Sequence, residues 1–168
     1  MAKAGTYTMA RALCTFSGSI KTAIHAFKYQ NKTNLAKTLI GLKGSTLPLR
    51  IDQYDRLVPV PLHKNRLRQR AYNQSLLLAR EISRRYRVPT DERVLRRIRD
   101  SIPQVQLMGA KRERNVKGVF SLEGDAAGMR LLLIDDVFTT GATVNECARV
   151  LRKGNAKRID VFTVARAV

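Results

Sequence analysis

The chain has no tryptophan, only two cysteines, five prolines and few carboxylates. Each scarcity removes something. Two thiols, Cys14 and Cys147, cannot build a disulfide framework or a four-thiolate zinc site. Aromatic residues make up 6% and do not interleave regularly with basic ones, which gives little support to recognition of nucleic acid by base stacking. No stretch approaches the ~20 consecutive apolar residues of a membrane helix. The opening Met1-Ala2-Lys3-Ala4-Gly5 lacks the long apolar segment of a secretory signal. The expectation is a soluble, cytoplasmic protein without membrane insertion. Acidic residues number 13 against 32 Lys and Arg, a net charge of +19. A pocket for one small anion needs only a few of those cations. The surplus points to a polyanion partner, DNA or RNA, with a solvated basic surface as the plainer alternative.

What is present is concentrated in Leu131-Leu132-Leu133-Ile134-Asp135-Asp136-Val137-Phe138-Thr139-Thr140-Gly141-Ala142-Thr143. A short continuous apolar run predicts a strand buried on both faces of a parallel sheet. Ligands of such sheets sit beyond the carboxyl ends of the strands. Asp135 and Asp136 fall there, where carboxylates can accept hydrogen bonds from ribose hydroxyls or hold a hydrated Mg2+. Thr139 to Thr143 then offer hydroxyls, a Gly-Ala pair and a row of backbone N–H groups at a helix start, suited to a phosphate. Walker spacing and its lysine are missing, so a monophosphate cradle is the better reading. Val144, Cys147, Ala148 and Leu151 recur with helical spacing, and Gly154 stops the helix. Cys147 lies on that apolar stripe as a packing residue. Val161-Phe162-Thr163-Val164 predicts the next strand.

Elsewhere, residues 17 to 43 read as helical, broken by Gly41, Gly44 and Pro48. Leu57-Val58-Pro59-Val60-Pro61 reads as a short strand, its prolines suited to an edge or an abrupt exit. A basic loop follows from Leu62 to Gln74, and Asn73 can cap a helix that ends before Pro89. Arg66 and Arg70 are the cations best suited to a second anion across the pocket, such as a pyrophosphate. His63 is a candidate hydrogen-bonding group there or a bystander. Residues 93 to 98 predict a strand. The long polar stretch from Arg99 to Gly118, with Ser101, Gln104, Lys111, Arg112, Arg114 and Asn115, reads as a lid over an anionic ligand. At 168 residues, with 44% apolar content, the chain should form one α/β domain with a mainly parallel sheet flanked by helices. Residues from about 1 to 50 form a small helical hood, and those from about 51 to 168 form the binding core.

The acidic pair with its Thr-Thr-Gly turn resembles the signature of type I phosphoribosyltransferases, which bind 5-phosphoribosyl 1-pyrophosphate (PRPP). The resemblance implies that Asp135 and Asp136 contact the ribose hydroxyls and Mg2+, and that Thr139, Thr140, Gly141, Ala142 and Thr143 hold the 5'-phosphate. Three pieces together resemble the ComF family of natural DNA uptake: Val58 to Leu62 through Arg66, Arg70 and Asn73-Gln74; Gln104, Leu107, Arg112, Asn115, Gly118 and Phe120; and the Asp-Asp turn. Phe27-Lys28-Tyr29 is similar to that family's N-terminal Lys-Tyr element. By this resemblance Leu62, His63, Arg66 and Arg70 join the PRPP site, and Arg112 joins Asp135 and Asp136 in catalysis. It also implies single-stranded DNA and a competence helicase as partners. The paired Cys-x-x-Cys motifs of many relatives are missing, so zinc is not implied. Ser101 stands where relatives often have Thr, and Ala71 replaces the usual Gly after Arg70. Three functions follow as expectations: phosphoribosyl transfer to an unnamed acceptor, a nucleic-acid-binding accessory role, or ligand sensing on the same fold.

Overall fold

The structure is a computed structural model that describes residues 6–42, 44, 46–100 and 116–167. Its strands are β1 Ala10–Thr15, β2 Arg56–Pro59, β3 Leu95–Arg97, β4 Phe120–Leu122, β5 Arg130–Phe138 and β6 Arg158–Arg166. Its helices are α1 Gly18–Tyr29, α2 Leu35–Ile40, α3 Lys64–Arg70, α4 Gln74–Tyr86 and α5 Ala142–Lys153. Four strands form one parallel sheet in the order β1-β6-β5-β2, and β3 pairs with β4 antiparallel in a separate hairpin. The α/β reading with a parallel core therefore holds.

The leucine run explains why β5 lies inside. Leu131, Leu132, Leu133 and Ile134 are fully buried, each worth about 1.5–3 kcal/mol of apolar burial. Alternation sends Leu131 and Leu133 into a core with α5, β3 and β4, whereas Leu132 and Ile134 enter a second core with α1, α2 and α4. Cys147 packs in the first core as expected. α4, which follows β2 and α3, thus covers one face and α5, after β5, covers the other. Adjacent strands whose following helices diverge leave a crevice between their carboxyl ends.

One element departs from the sequence reading: the N-terminal region contributes an edge strand, β1, paired with β6 from Ala10↔Val161 to Thr15↔Arg166, besides its helices. The helical stretch over 17–43 forms two helices in succession, parted by Asn31 at φ 54°. Its two halves still bury one continuous face: Ile24 and Phe27 of α1 with Leu39 and Ile40 of α2.

Candidate functional site

The acidic pair lies at the lip of the crevice. β2 pairs with β5 only as far as Pro59↔Ile134, and the Val60 N–H closes the ladder on the Ile134 carbonyl at 3.0 Å. From Asp135 onward β5 continues to Phe138 with β6 as its only strand partner among the described residues, so both carboxylates are strand residues with one edge unpaired. Asp136 is buried and Asp135 half-buried. Asp135 Oδ1 accepts from the Ser75 hydroxyl and from the Asp136 backbone N–H, each at 2.9 Å. Lys28 Nζ, from α1, lies 2.6 Å from Asp136 Oδ2. Burial, and next the charge of Asp136, push the Asp135 carboxyl up to about 7, against the pull of Lys28. Burial opposes the charge of Lys28, but Asp136 and then Asp135 outweigh it and hold the ammonium above its ordinary range.

The turn after β5 has the predicted shape. Gly141 opens α5 at φ +78°, and a Cβ there would lie 2.7 Å from Phe138 Cζ, so conformation and contact both demand glycine. The Thr140 hydroxyl accepts from the Ala142 N–H at 3.4 Å. One open cleft is lined by Lys28, Asp135, Asp136, Phe138, Thr139, Gly141, Ala142 and Thr143, which unites the acid pair with most of the turn. Gly141→Val should lower stability by about 1–3 kcal/mol through backbone strain and abolish binding of ribose 5-phosphate. Thermal melts and calorimetry with that probe check both effects; undiminished binding would remove the turn from the site.

Across the crevice, the basic stretch after β2 is a helix, α3, rather than a loop. His63, which is buried, occupies its N-cap: Nδ1 accepts from the Asn65 N–H at 3.4 Å and lies 3.5 Å from Asp100 Oδ2. Leu62 precedes it, partly exposed. A capping role accounts for His63 without chemistry. Arg66 and Arg70 are one helical turn apart. Arg70 donates to the Tyr29 hydroxyl at 3.1 Å and lies 4.9 Å from that ring's centroid. Arg66 lies close enough to Arg97 of β3 to disfavour its charge, and burial is the larger cause that lowers the Arg97 pKa. α3 ends at Ala71 with φ +65°, where the family resemblance expects glycine. Ala71→Gly should therefore raise stability by about 1 kcal/mol, read as a higher urea midpoint; an unchanged midpoint would mean that the position carries no strain.

Asn73 caps α4 as predicted, accepting from the Ser75 N–H at 3.0 Å and donating to the Val60 carbonyl at 3.1 Å. That cap aims Ser75 at Asp135. Ser75, Lys28 and Arg97 were not singled out as site residues from sequence. A lysine one turn beyond Ile24 on the buried stripe of α1 was a usable signal for Lys28. Arg112, with the other residues of 101–115 read as a lid, lies outside the described residues. Its flanks are anchored: Arg99 donates to the Gly118 carbonyl at 2.7 Å, and the Gly118 N–H donates to Glu146 at 2.6 Å.

A parallel sheet whose crevice joins an acid pair to a helix-opening turn defines the phosphoribosyltransferase class of sugar-phosphate domain. Residues 73–167 match the family described as phosphoribosyl transferase domain. The chain is 32% identical over 152 residues to competence protein F of Haemophilus influenzae, covering 86% of this chain and 66% of that one. It is 31% identical over 164 residues to the DNA utilization protein YhgH of Escherichia coli K12, covering 91% and 70%. To competence protein ComFC of Bacillus subtilis it is 31% identical over 161 residues, covering 94% and 64%. The chain thus spans about two thirds of the length of these relatives. It belongs to the ComF family of competence-linked, phosphoribosyltransferase-like proteins.

Proposed function

We propose that the chain binds PRPP with Mg2+ and transfers its phosphoribosyl group to an acceptor, in a role tied to the handling of incoming DNA. The observation that carries this reading is the Asp135-Asp136 pair, with the buried Asp136 2.6 Å from Lys28, beside a turn whose Gly141 position only glycine fits. The turn from Thr139 to Thr143 holds the 5'-phosphate, and the acid pair accepts from the ribose hydroxyls. Arg66 and Arg70 neutralise the diphosphate across the crevice, and Arg112 is assigned to catalysis from the family pattern. No group of three or more His, Cys, Asp or Glu among the described residues could hold a metal ion. Two carboxylates suit Mg2+, which takes one or two of them together with substrate phosphates. Bound there, it would supply charge neutralisation of the departing diphosphate.

Transfer breaks the bond from the anomeric carbon to the diphosphate oxygen, which leaves with its electron pair. The acceptor's lone pair then bonds to the electron-poor, oxocarbenium-like carbon. The chain's contribution is to hold ribose and phosphate fixed and to stabilise charge on the leaving group.

Calorimetric titration of nuclease-treated protein with PRPP and Mg2+ tests the reading, with saturable one-site binding expected. No heat from folded protein would overturn it. The charge of +19 favours a second role, binding single-stranded nucleic acid. The names of the relatives, competence and DNA utilization proteins, support that context.

A further inference from the structure

The acid pair carries a cation of its own. Asp136 Oδ2 is buried, and the Lys28 ammonium stands against it at 2.6 Å. Among the described residues no other ion pair reaches either carboxylate. Arg70 lies near enough to act on Lys28, yet its guanidinium is engaged with the Tyr29 hydroxyl and ring. Lys28 is placed from behind: Phe27 is fully buried, and the Tyr72 hydroxyl donates to the Phe27 carbonyl. The lysine side chain is 23% exposed and lines the cleft beside Asp135 and Asp136.

This contact decides which oxygens a ligand can use. Asp135 Oδ1 already accepts from the Ser75 hydroxyl and the Asp136 N–H, and Asp136 Oδ2 faces Lys28. One oxygen of each carboxylate is therefore committed, and Asp135 Oδ2 with Asp136 Oδ1 remain. Two acceptors match the two vicinal hydroxyls of a ribose. A divalent ion fares worse there. Mg2+ sheds water reluctantly and demands a near-octahedral shell. It would meet a pair whose charge Lys28 has already halved, and it would be repelled by the ammonium where burial weakens screening. Diphosphate oxygens reverse that balance, because they bring negative charge and ligand atoms of their own.

We propose that Lys28 is a built-in counterion that keeps divalent metal off the acid pair in the ligand-free chain, so that Mg2+ is taken up only together with the diphosphate. The exclusion stands on the placement of Lys28; the joint uptake rests on the proposed PRPP reading. Sugar and metal then separate: ribose 5-phosphate, which has no diphosphate, binds equally with and without Mg2+.

The test is electron paramagnetic resonance of Mn2+, which suits the same oxygen ligands as Mg2+, titrated into the full, untagged chain. Wild type without ligand should leave the free-ion signal intact, and added PRPP should remove it. Lys28→Met should take up Mn2+ without ligand at a single saturable site, since both carboxylates are then uncompensated. Mn2+ at about five times its Kd should raise the Tm of that variant by about 2–4 °C and leave the wild type unmoved. Lys28→Gln should gain the same metal and keeps the test open if the Met variant fails to fold. Lys28→Met with Asp136→Asn should lose it again. Mn2+ uptake by the ligand-free wild type that disappears in Asp135→Asn with Asp136→Asn would overturn the exclusion. Folded Lys28 variants that take up no Mn2+ would show that the lysine is not what keeps metal out. Calorimetry in which ribose 5-phosphate binds only with Mg2+ would overturn entry of the metal with the diphosphate. Failure of PRPP to bind at all would instead defeat the transferase reading, and the ligand-free titrations would still decide the role of Lys28.

Discussion

Asp135→Asn with Asp136→Asn is expected to weaken PRPP binding at least about 100-fold, since two charge-assisted contacts at about 1.5–3 kcal/mol each are lost. The fold should survive at reduced stability, because Asp136→Asn leaves Lys28 without the carboxylate it faces. Amide and carboxylate share a shape, and the amide oxygen introduced at position 135 can still accept from the Ser75 hydroxyl and the residue 136 N–H. Asp135→Asn alone separates the cost of the site from its use. The native Asp135 carboxyl releases its proton only near 7 because of burial and then Asp136, whereas in the unfolded chain it does so near 4. Between those values the native state binds the additional proton, so this group makes stability fall as pH rises. The Asn variant should accordingly match the wild type near pH 4 and exceed it at pH 8. Urea unfolding at both pH values decides this. A gain of equal size at each would show that Asp135 titrates alike in both states, and retained PRPP binding by a folded double variant would remove the acid pair from the site.

That acid pair was readable in the sequence because one segment carries every component in order. Strand, carboxylates, turn and helix follow each other over some twenty residues, and local periodicity reports such a unit well. Asn73 was readable for the same reason, since a cap acts within its own helix turn. β1 was not. Its Ala10-Arg11-Ala12-Leu13-Cys14-Thr15 has one fully buried side chain, Leu13, so alternation is faint, and its partner β6 lies some 150 residues away. Reading the basic stretch from Leu62 to Gln74 as a loop failed for a different reason. α3 buries nothing, so it has no apolar stripe to betray its helical period. Its stop is also disguised, because an alanine occupies the left-handed position where glycine would mark the end. Lys28 joins Asp136 from 108 positions away. Spacing along the chain carries no trace of such a contact; the resemblance of Phe27-Lys28-Tyr29 to the family's Lys-Tyr element and an ionisable residue on an apolar helix face were its hints.

Lys28→Met should lower stability more than any other single change to the site. Asp136 is 3% exposed, and Lys28 is the cation that faces it. Removing one partner of a buried pair leaves the other charge uncompensated, at a cost of about 3–5 kcal/mol. The open flank of the crevice places the expected loss at the lower end, about 3 kcal/mol. The placement of Lys28 depends on tertiary contacts: the Tyr72 hydroxyl donates to the Phe27 carbonyl, which ties the end of α1 to the junction of α3 and α4. The backbone that carries the lysine is therefore held against that junction. Its pKa is raised in the folded chain, so its contribution is fully present below the unfolded value of about 10.5 and fades as pH rises through the folded one. Measured at pH 8, the Met variant should show the full loss. Lys28→Met with Asp136→Asn should recover most of it by removing both charges, yet should not recover PRPP binding, because the ribose has then lost a carboxylate. A Met variant that unfolds at the wild-type urea midpoint would show that the pair contributes nothing to folding. Recovery of PRPP binding by the double variant would show that Asp136 serves Lys28 rather than the ligand.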